Sequence, residues 1–229
     1  MKKIILILFL FFLLYACYII YNLTEDKNKS ITLIGDNIAN NPYINNIENI
    51  SVNNDFINKD YHINDLLTII KYNQDLDIDN KTESIHQILK KSDIVILSIG
   101  MNDLYYKLND NTKEIYTYLN SMINNYELII KEISRYDYKQ VYILGYYNIT
   151  NNNNDIFTYI NYKLSSIAKN YNYTFIDTNK ILNNKQEYYK KETNFNLNNK
   201  GYYQIFNILV ENLKKSWYNI KCIYYYDLY

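Results

Sequence analysis

Four short apolar runs, each closed by a glycine or an aspartate, constrain the fold of this chain more than any other feature. They are SITLIGD at Ser30–Asp36, DIVILSIG at Asp93–Gly100, QVYILG at Gln140–Gly145 and YTFID at Tyr173–Asp177. Each is apolar at consecutive positions, where a strand half-open to water would alternate apolar with polar. They read as strands buried on both faces. Between them the apolar residues change period. Ile63-Leu66-Leu67-Ile70, Ile85-Ile88-Leu89, Ile115-Leu119-Ile123-Leu128-Ile130, Ile156-Ile160-Leu164-Ile167 and Tyr202-Ile205-Leu209-Leu213 recur largely at three- and four-residue spacing, the stripe of an amphipathic helix. Strands alternating with helices of this length pair in parallel, with helices on both faces. The expected architecture is an α/β fold, a three-layer α/β/α sandwich on a mainly parallel sheet. No internal repeat is visible, and Asn151–Asn154 reads as a loop.

The glycines sharpen this reading. The chain has only four, of which Gly35, Gly100 and Gly145 each close a predicted strand and Gly201 opens the last helix. In open parallel sheets, ligands sit beyond the carboxyl ends of the strands, where glycine lets backbone approach substrate. The alternative is an ordinary turn that needs a positive φ, and for Gly145 taken alone that alternative is preferred.

The amino terminus carries a different signal. Met1-Lys2-Lys3 precedes an uncharged run from Ile4 to Tyr21, about the 17–25 residues that cross a bilayer as a helix. Lys2 and Lys3 on the cytoplasmic side would send the rest of the chain to the outer face. The run is long for a signal peptide and lacks a clean small-x-small cleavage site, which favours an uncleaved anchor. Lipidation at Cys17, in Leu14-Tyr15-Ala16-Cys17, stays open, as do cleavage and a buried core helix. The expected division is an anchor over residues 1–22, a polar tether over 23–29, one domain over 30–218 and a tail over 219–229.

Charge and cysteine content exclude other classes. Lys+Arg and Asp+Glu both number 24, so there is no basic excess to neutralise nucleic-acid phosphates. A disulfide between Cys17 and Cys222 would join a membrane segment to the tail, so no disulfide framework is expected. No pair of His, Cys or carboxylates shows a metal-ligand spacing, and no cofactor is expected.

Three segments together carry a resemblance. Ile34-Gly35-Asp36-Asn37 follows the first strand, Gly100-Met101-Asn102-Asp103 ends the next clear strand, and Asn196-Leu197-Asn198-Asn199-Lys200-Gly201-Tyr202 leads into the last helix. In order and spacing they resemble the Gly-Asp-Ser, Gly-x-Asn-Asp and Asp-x-x-His blocks of the SGNH/GDSL hydrolases, over roughly Ser30–Leu213. The resemblance implies a flavodoxin-like sandwich and an ester-cleaving centre. In that family the serine attacks an acyl carbonyl, the histidine takes its proton and the aspartate orients the histidine. The Asn of the second motif, a glycine from a further block and the serine N–H form the oxyanion hole.

At the decisive positions this chain departs from the pattern. Asn37 stands at the nucleophile position, Asn196 at the base position and Thr193 at the orienting position; a carboxamide neither becomes an alkoxide nor exchanges protons as imidazole does. A loose alignment of DYHINDLL puts Asp60 where the further block has glycine. Asn102 alone survives, supported by Gly35, Asp36, Gly100 and Asp103, which are expected to line the ligand-binding site. Of two histidines, His62 precedes the Ile63 helix near the expected site and is a conceivable base or ligand contact, while His86 reads as a surface residue. Ser98 lies inside a strand and should be buried.

Three functions follow as expectations. The first is a non-catalytic module on the outer side of the membrane, whose Asn37, Asn102 and Asn196 amides bind a cell-wall glycan or acylated ligand. The second is an active ester hydrolase using a non-standard base such as His62. The third is a partner-binding protein that uses its many tyrosines, the tail Tyr224-Tyr225-Tyr226 among them.

Overall fold

The computed structural model describes residues 11–17, 29–36, 41–47, 50–57, 60–78, 81–108, 112–136, 140–148, 153–183, 185–190 and 196–216. In chain order the strands are β1 (Lys29–Gly35), β2 (Ile50–Ile57), β3 (Asp75–Ile78), β4 (Lys81–Ser84), β5 (Ile94–Ser98), β6 (Gln140–Leu144) and β7 (Thr174–Ile176). The helices are α1 (Ile63–Lys71), α2 (Ile85–Lys91), α3 (Met101–Lys107), α4 (Thr112–Ile133), α5 (Asn154–Asn170), α6 (Thr178–Leu182) and α7 (Asn199–Ser216).

The apolar runs form the sheet. Its order is β2-β1-β5-β6-β7, with every neighbouring pair parallel. Ile94, Val95, Ile96 and Leu97 are all buried, and so are Ile31 to Ile34, because helices cover both faces of a parallel sheet. This three-layer α/β/α arrangement is the one that the alternation of periods predicts. Each fully buried Ile or Leu contributes about 1.5–3 kcal/mol of transfer free energy.

β2 escapes sequence reading because its apolar pattern is broken by Asn53-Asn54-Asp55. It is one of the sheet's two edge strands and, among the described residues, pairs only with β1. Its register slips between Ile31 and Thr32, opposite Val52 and Asn54, so that Asn53 is the extra residue of a bulge. The antiparallel pair β3 and β4 was equally silent in the pattern.

The helical stripes behave as their spacing requires, with one exception. In α4, Ile115, Leu119, Ile123 and Ile130 are buried but Leu128 is 47% exposed. It sits five residues after Ile123, out of phase with the stripe, and Tyr126 and Ile129 fill the core face instead. α1 packs against α4 and α4 against α5, while α7 packs against α6.

The anchor expected at Ile4–Tyr21 lies for the most part outside the described residues. Residues 11–17 are helical, with Phe11, Phe12, Leu14 and Tyr15 exposed. Among the described residues no helix is long and apolar enough to cross a membrane.

Candidate active site

The strand order locates the site. The chain steps from β1 outward to β2, then returns to the other side of β1 at β5, and an open parallel sheet binds ligands beyond the carboxyl ends of its strands at such a reversal. The two residues that close these strands, Gly35 and Gly100, have φ of +132° and +104°, a region open to glycine but strained for other residues. A methyl on Gly35 would strike the Ser98 carbonyl, and one on Gly100 the Tyr146 hydroxyl. Gly145 is different: it has no positive φ, and it is small because Phe175 and Asn161 close in on it.

Asp36 follows Gly35 and is buried. Its N–H donates to the Ser98 carbonyl at 2.7 Å. Its carboxylate accepts the Ser98 hydroxyl at 3.1 Å and the Met101 N–H at 3.1 Å. It therefore staples the end of β1 to the turn into α3. Ser98 is buried as expected, and Asp36 turns inward instead of presenting a ligand contact.

Asn102 and Asp103 sit in the first turn of α3, against the segment that leads into α1. The Asn102 amide donates to the Tyr61 carbonyl at 3.0 Å. One Asp103 oxygen accepts the Ile63 N–H at 3.1 Å and lies 3.4 Å from Nδ1 of His62; the other accepts the Tyr118 hydroxyl at 3.4 Å. Asp103 too is buried, so it holds the neighbouring segment. Burial foremost, then the charge and hydrogen bond of Asp103, pushes the Tyr118 phenol up to about 12. His62 is half-exposed, and its N–H donates to Asp65 at 2.9 Å, capping α1. Asp60 is exposed one residue before Tyr61. The structure thus brings together Gly35, Asp36, His62, Gly100, Asn102 and Asp103.

Asn37 and Thr193 lie outside the described residues, but the elements beside them are firmly tied. The Asn41 amide donates to the Tyr202 carbonyl of α7 at 2.8 Å, joining the stretch after β1 to the last helix. Asn196 is half-buried, and its carbonyl accepts the Lys190 N–H at 2.9 Å. Asn198 caps α7, accepting the Gly201 N–H at 3.1 Å and donating to the Tyr189 carbonyl at 3.1 Å. Its signal was an Asn just ahead of a helix.

A wall of tyrosines had no such signal. Tyr146 donates its hydroxyl to the Ile99 carbonyl at 2.6 Å and fills the space over Gly100. Tyr147 stacks on Tyr189 with ring centroids 5.8 Å apart, and Tyr189 donates to the Leu182 carbonyl at 2.6 Å. Asn161 clamps Tyr146 through both backbone groups, at 2.8 and 2.7 Å. Burial, with Asp36 among the lesser causes, pushes the Tyr146 and Tyr147 phenols well above their usual value.

His86 is only partly exposed. Its Nε2 lies 2.9 Å from the Ile70 carbonyl and its ring meets Tyr136 edge-on at 5.8 Å, so it fastens α2 to α1 instead of facing water. Among the described residues no three His, Cys, Asp or Glu side chains are grouped to hold a metal ion.

No family model matches the sequence, and no curated protein does. Solved structures do. The acetylxylan esterase Axe2 of Geobacillus stearothermophilus is 15% identical, with a TM-score of 0.57 over 82% of this chain and 94% of that one. Solved forms of that esterase include catalytic mutants with alanine in place of a serine, a histidine or an aspartate. TesA is 9% identical, with a TM-score of 0.60 over 82% of this chain and 99% of that one. Both are SGNH/GDSL hydrolases. This chain has the SGNH hydrolase fold.

Proposed function

We propose that this chain is a membrane-anchored, extracytoplasmic module that has lost ester hydrolysis by the serine route and uses the crevice beyond β1 and β5 to bind a polar ligand, a glycan or an acylated wall component. One observation carries the reading. In an SGNH hydrolase fold the Asn102 amide is held at 3.0 Å on the Tyr61 carbonyl, and the sequence resemblance sets Asn37 and Asn196 at the family's nucleophile and base positions. Loss of a triad member in serine hydrolases costs about 10⁴- to 10⁶-fold in turnover. The fold needs none of those side chains. Carboxamides both donate and accept hydrogen bonds, which suits sugar hydroxyls.

Axe2 is described as acting on acetyl-xylooligosaccharides, so acetylated xylo-oligosaccharides are the first ligands to try. The full chain in detergent micelles is expected to bind them saturably by calorimetric titration, and to hydrolyse neither them nor p-nitrophenyl acetate above buffer. The anchor rests on Lys2, Lys3 and the run Ile4–Tyr21; a reporter fused after Tyr229 should work only outside the membrane, and cytoplasmic activity refutes that topology.

A second reading is favoured by His62, whose Nδ1 faces the buried Asp103 carboxylate at 3.4 Å beside Asn102. A histidine backed by a carboxylate can serve as a general base for water. Turnover that vanishes in His62→Ala would establish this reading in place of the first.

A further inference from the structure

The helix that supplies Asn102 also carries an exposed aromatic ring on the same side. α3 buries Met101, Asp103 and Leu104, whereas Asn102 is half-buried and Tyr106 is 77% exposed. Residues four apart on a helix stand about 6 Å apart along the axis and about 40° apart around it. Tyr106 is therefore the next side chain along the face on which Asn102 stands. Tyr105, at the neighbouring angle, is turned away to the Tyr147 carbonyl at 3.4 Å.

Tyr106 is tied back to the site by a chain of contacts. The Lys107 ammonium lies 5.5 Å from the centre of the Tyr106 ring and 5.6 Å from that of Tyr118. Tyr118 in turn donates to Asp103, whose other oxygen holds the segment at His62 and Ile63. Cation–π attraction of the Lys107 ammonium to both rings restrains a side chain that would otherwise swing in water. A restrained aromatic plane loses less freedom when a ligand settles on it.

We infer that Tyr106, steadied by Lys107 and Tyr118, is a stacking subsite for a pyranose ring of the glycan whose adjoining unit meets Asn102. A pyranose offers one apolar face of C–H bonds, which packs on an aromatic plane, and a rim of hydroxyls, which takes hydrogen bonds from amides and ammonium groups. The flat ring, the Asn102 amide and the Lys107 ammonium supply those complements along one short helix. The inference rests on the glycan-binding reading and adds to it the place of a second sugar unit.

The test is calorimetric titration of the full chain in detergent with acetylated xylo-oligosaccharides. Tyr106→Ala should weaken binding at least about 10-fold, Tyr106→Trp should retain it, and Tyr162→Ala, a control at another exposed tyrosine, on α5 (67% exposed), should leave it unchanged. Unchanged melting curves will show that all three variants fold. Binding undiminished in Tyr106→Ala but lost in Asn102→Ala overturns the subsite and leaves the crevice reading standing. Equal weakening in Tyr106→Ala and Tyr162→Ala also overturns it. No binding by the parent chain overturns the subsite together with the glycan reading.

Discussion

The Met101 N–H donates to the Asp36 carboxylate at 3.1 Å, and this one bond joins the end of β1 to the first turn of α3. The end of β1 is thus locked by the Asp36 carboxylate to the turn that carries Asn102. In the proposed reading, the side chain that holds this corner of the crevice is separate from positions 37 and 196, at which the SGNH family carries its nucleophile and base.

That separation makes restoration a sharp test. The triple change Asn37→Ser, Thr193→Asp and Asn196→His should rebuild a relay facing Asn102, since a nucleophile and base held within reach act as an effectively intramolecular pair. The expected outcome is covalent labelling of the new serine by a fluorophosphonate probe, absent in the double variant that keeps Asn37. If Asp60 takes the place of the family's second-block glycine, as the loose alignment has it, the gain is limited, because one oxyanion donor is worth about 10²–10³ in rate. A folded triple variant that stays unlabelled refutes the alignment of these three positions.

Stability should fall in strong alkali for a reason that can be dissected. Tyr118 and Tyr173 are each pushed up to about 12, chiefly by burial, and burial likewise raises Tyr126, Tyr146 and Tyr147 well above their usual value. Between the usual value near 10 and these raised values, the unfolded chain has released protons that the folded chain keeps. The unfolded state then binds fewer protons, so unfolding becomes easier as pH rises. Urea midpoints should be unaffected by these groups below about pH 10 and should drop from there to about pH 12. Asp103→Asn should lower the Tyr118 transition, seen in tyrosinate absorbance, without restoring it fully, because burial is the larger cause.

Two buried tyrosines on neighbouring elements should respond oppositely to loss of their hydroxyls. Tyr126 is 1% exposed and its hydroxyl finds no partner among the described residues, whereas that of Tyr146 meets the Ile99 carbonyl at 2.6 Å. Tyr126→Phe removes a desolvated, unpaired group and should leave stability unchanged or raise it by about 1 kcal/mol; Tyr146→Phe strands a carbonyl and should cost about 1–2 kcal/mol. Chemical denaturation of both variants decides the point, and a large loss in Tyr126→Phe would contradict the assignment.

Much of this fold was legible because burial on both faces writes itself as unbroken apolar residues, as in Ile94 to Leu97. The strand β2 was not, since its apolar run is broken by Asn53-Asn54-Asp55. At the site, Gly35, Gly100 and Asn102 were legible from their order along the chain. The partners of the carboxylates were not: Asp36 and Asp103 staple the end of β1 and the start of α1 to α3, through groups remote in sequence. Tyr146, Tyr147 and Tyr189 could not have been picked from a chain with 29 tyrosines, since only their packing distinguishes them. His86 read as a surface residue because the Ile70 carbonyl and the Tyr136 ring approach it from other elements.

All five strands of the sheet run the same way, and the chain enters it at Lys29. Their amino ends share one rim and Gly35, Gly100 and Asn102 stand at the opposite one, about 20 Å away along seven residues of β1. A chain held by its amino terminus is gripped at the rim remote from its crevice. Were the anchor proposed for residues 1–22 to hold the chain, the sheet itself would act as the stalk, with the binding edge at the rim farther from the lipid.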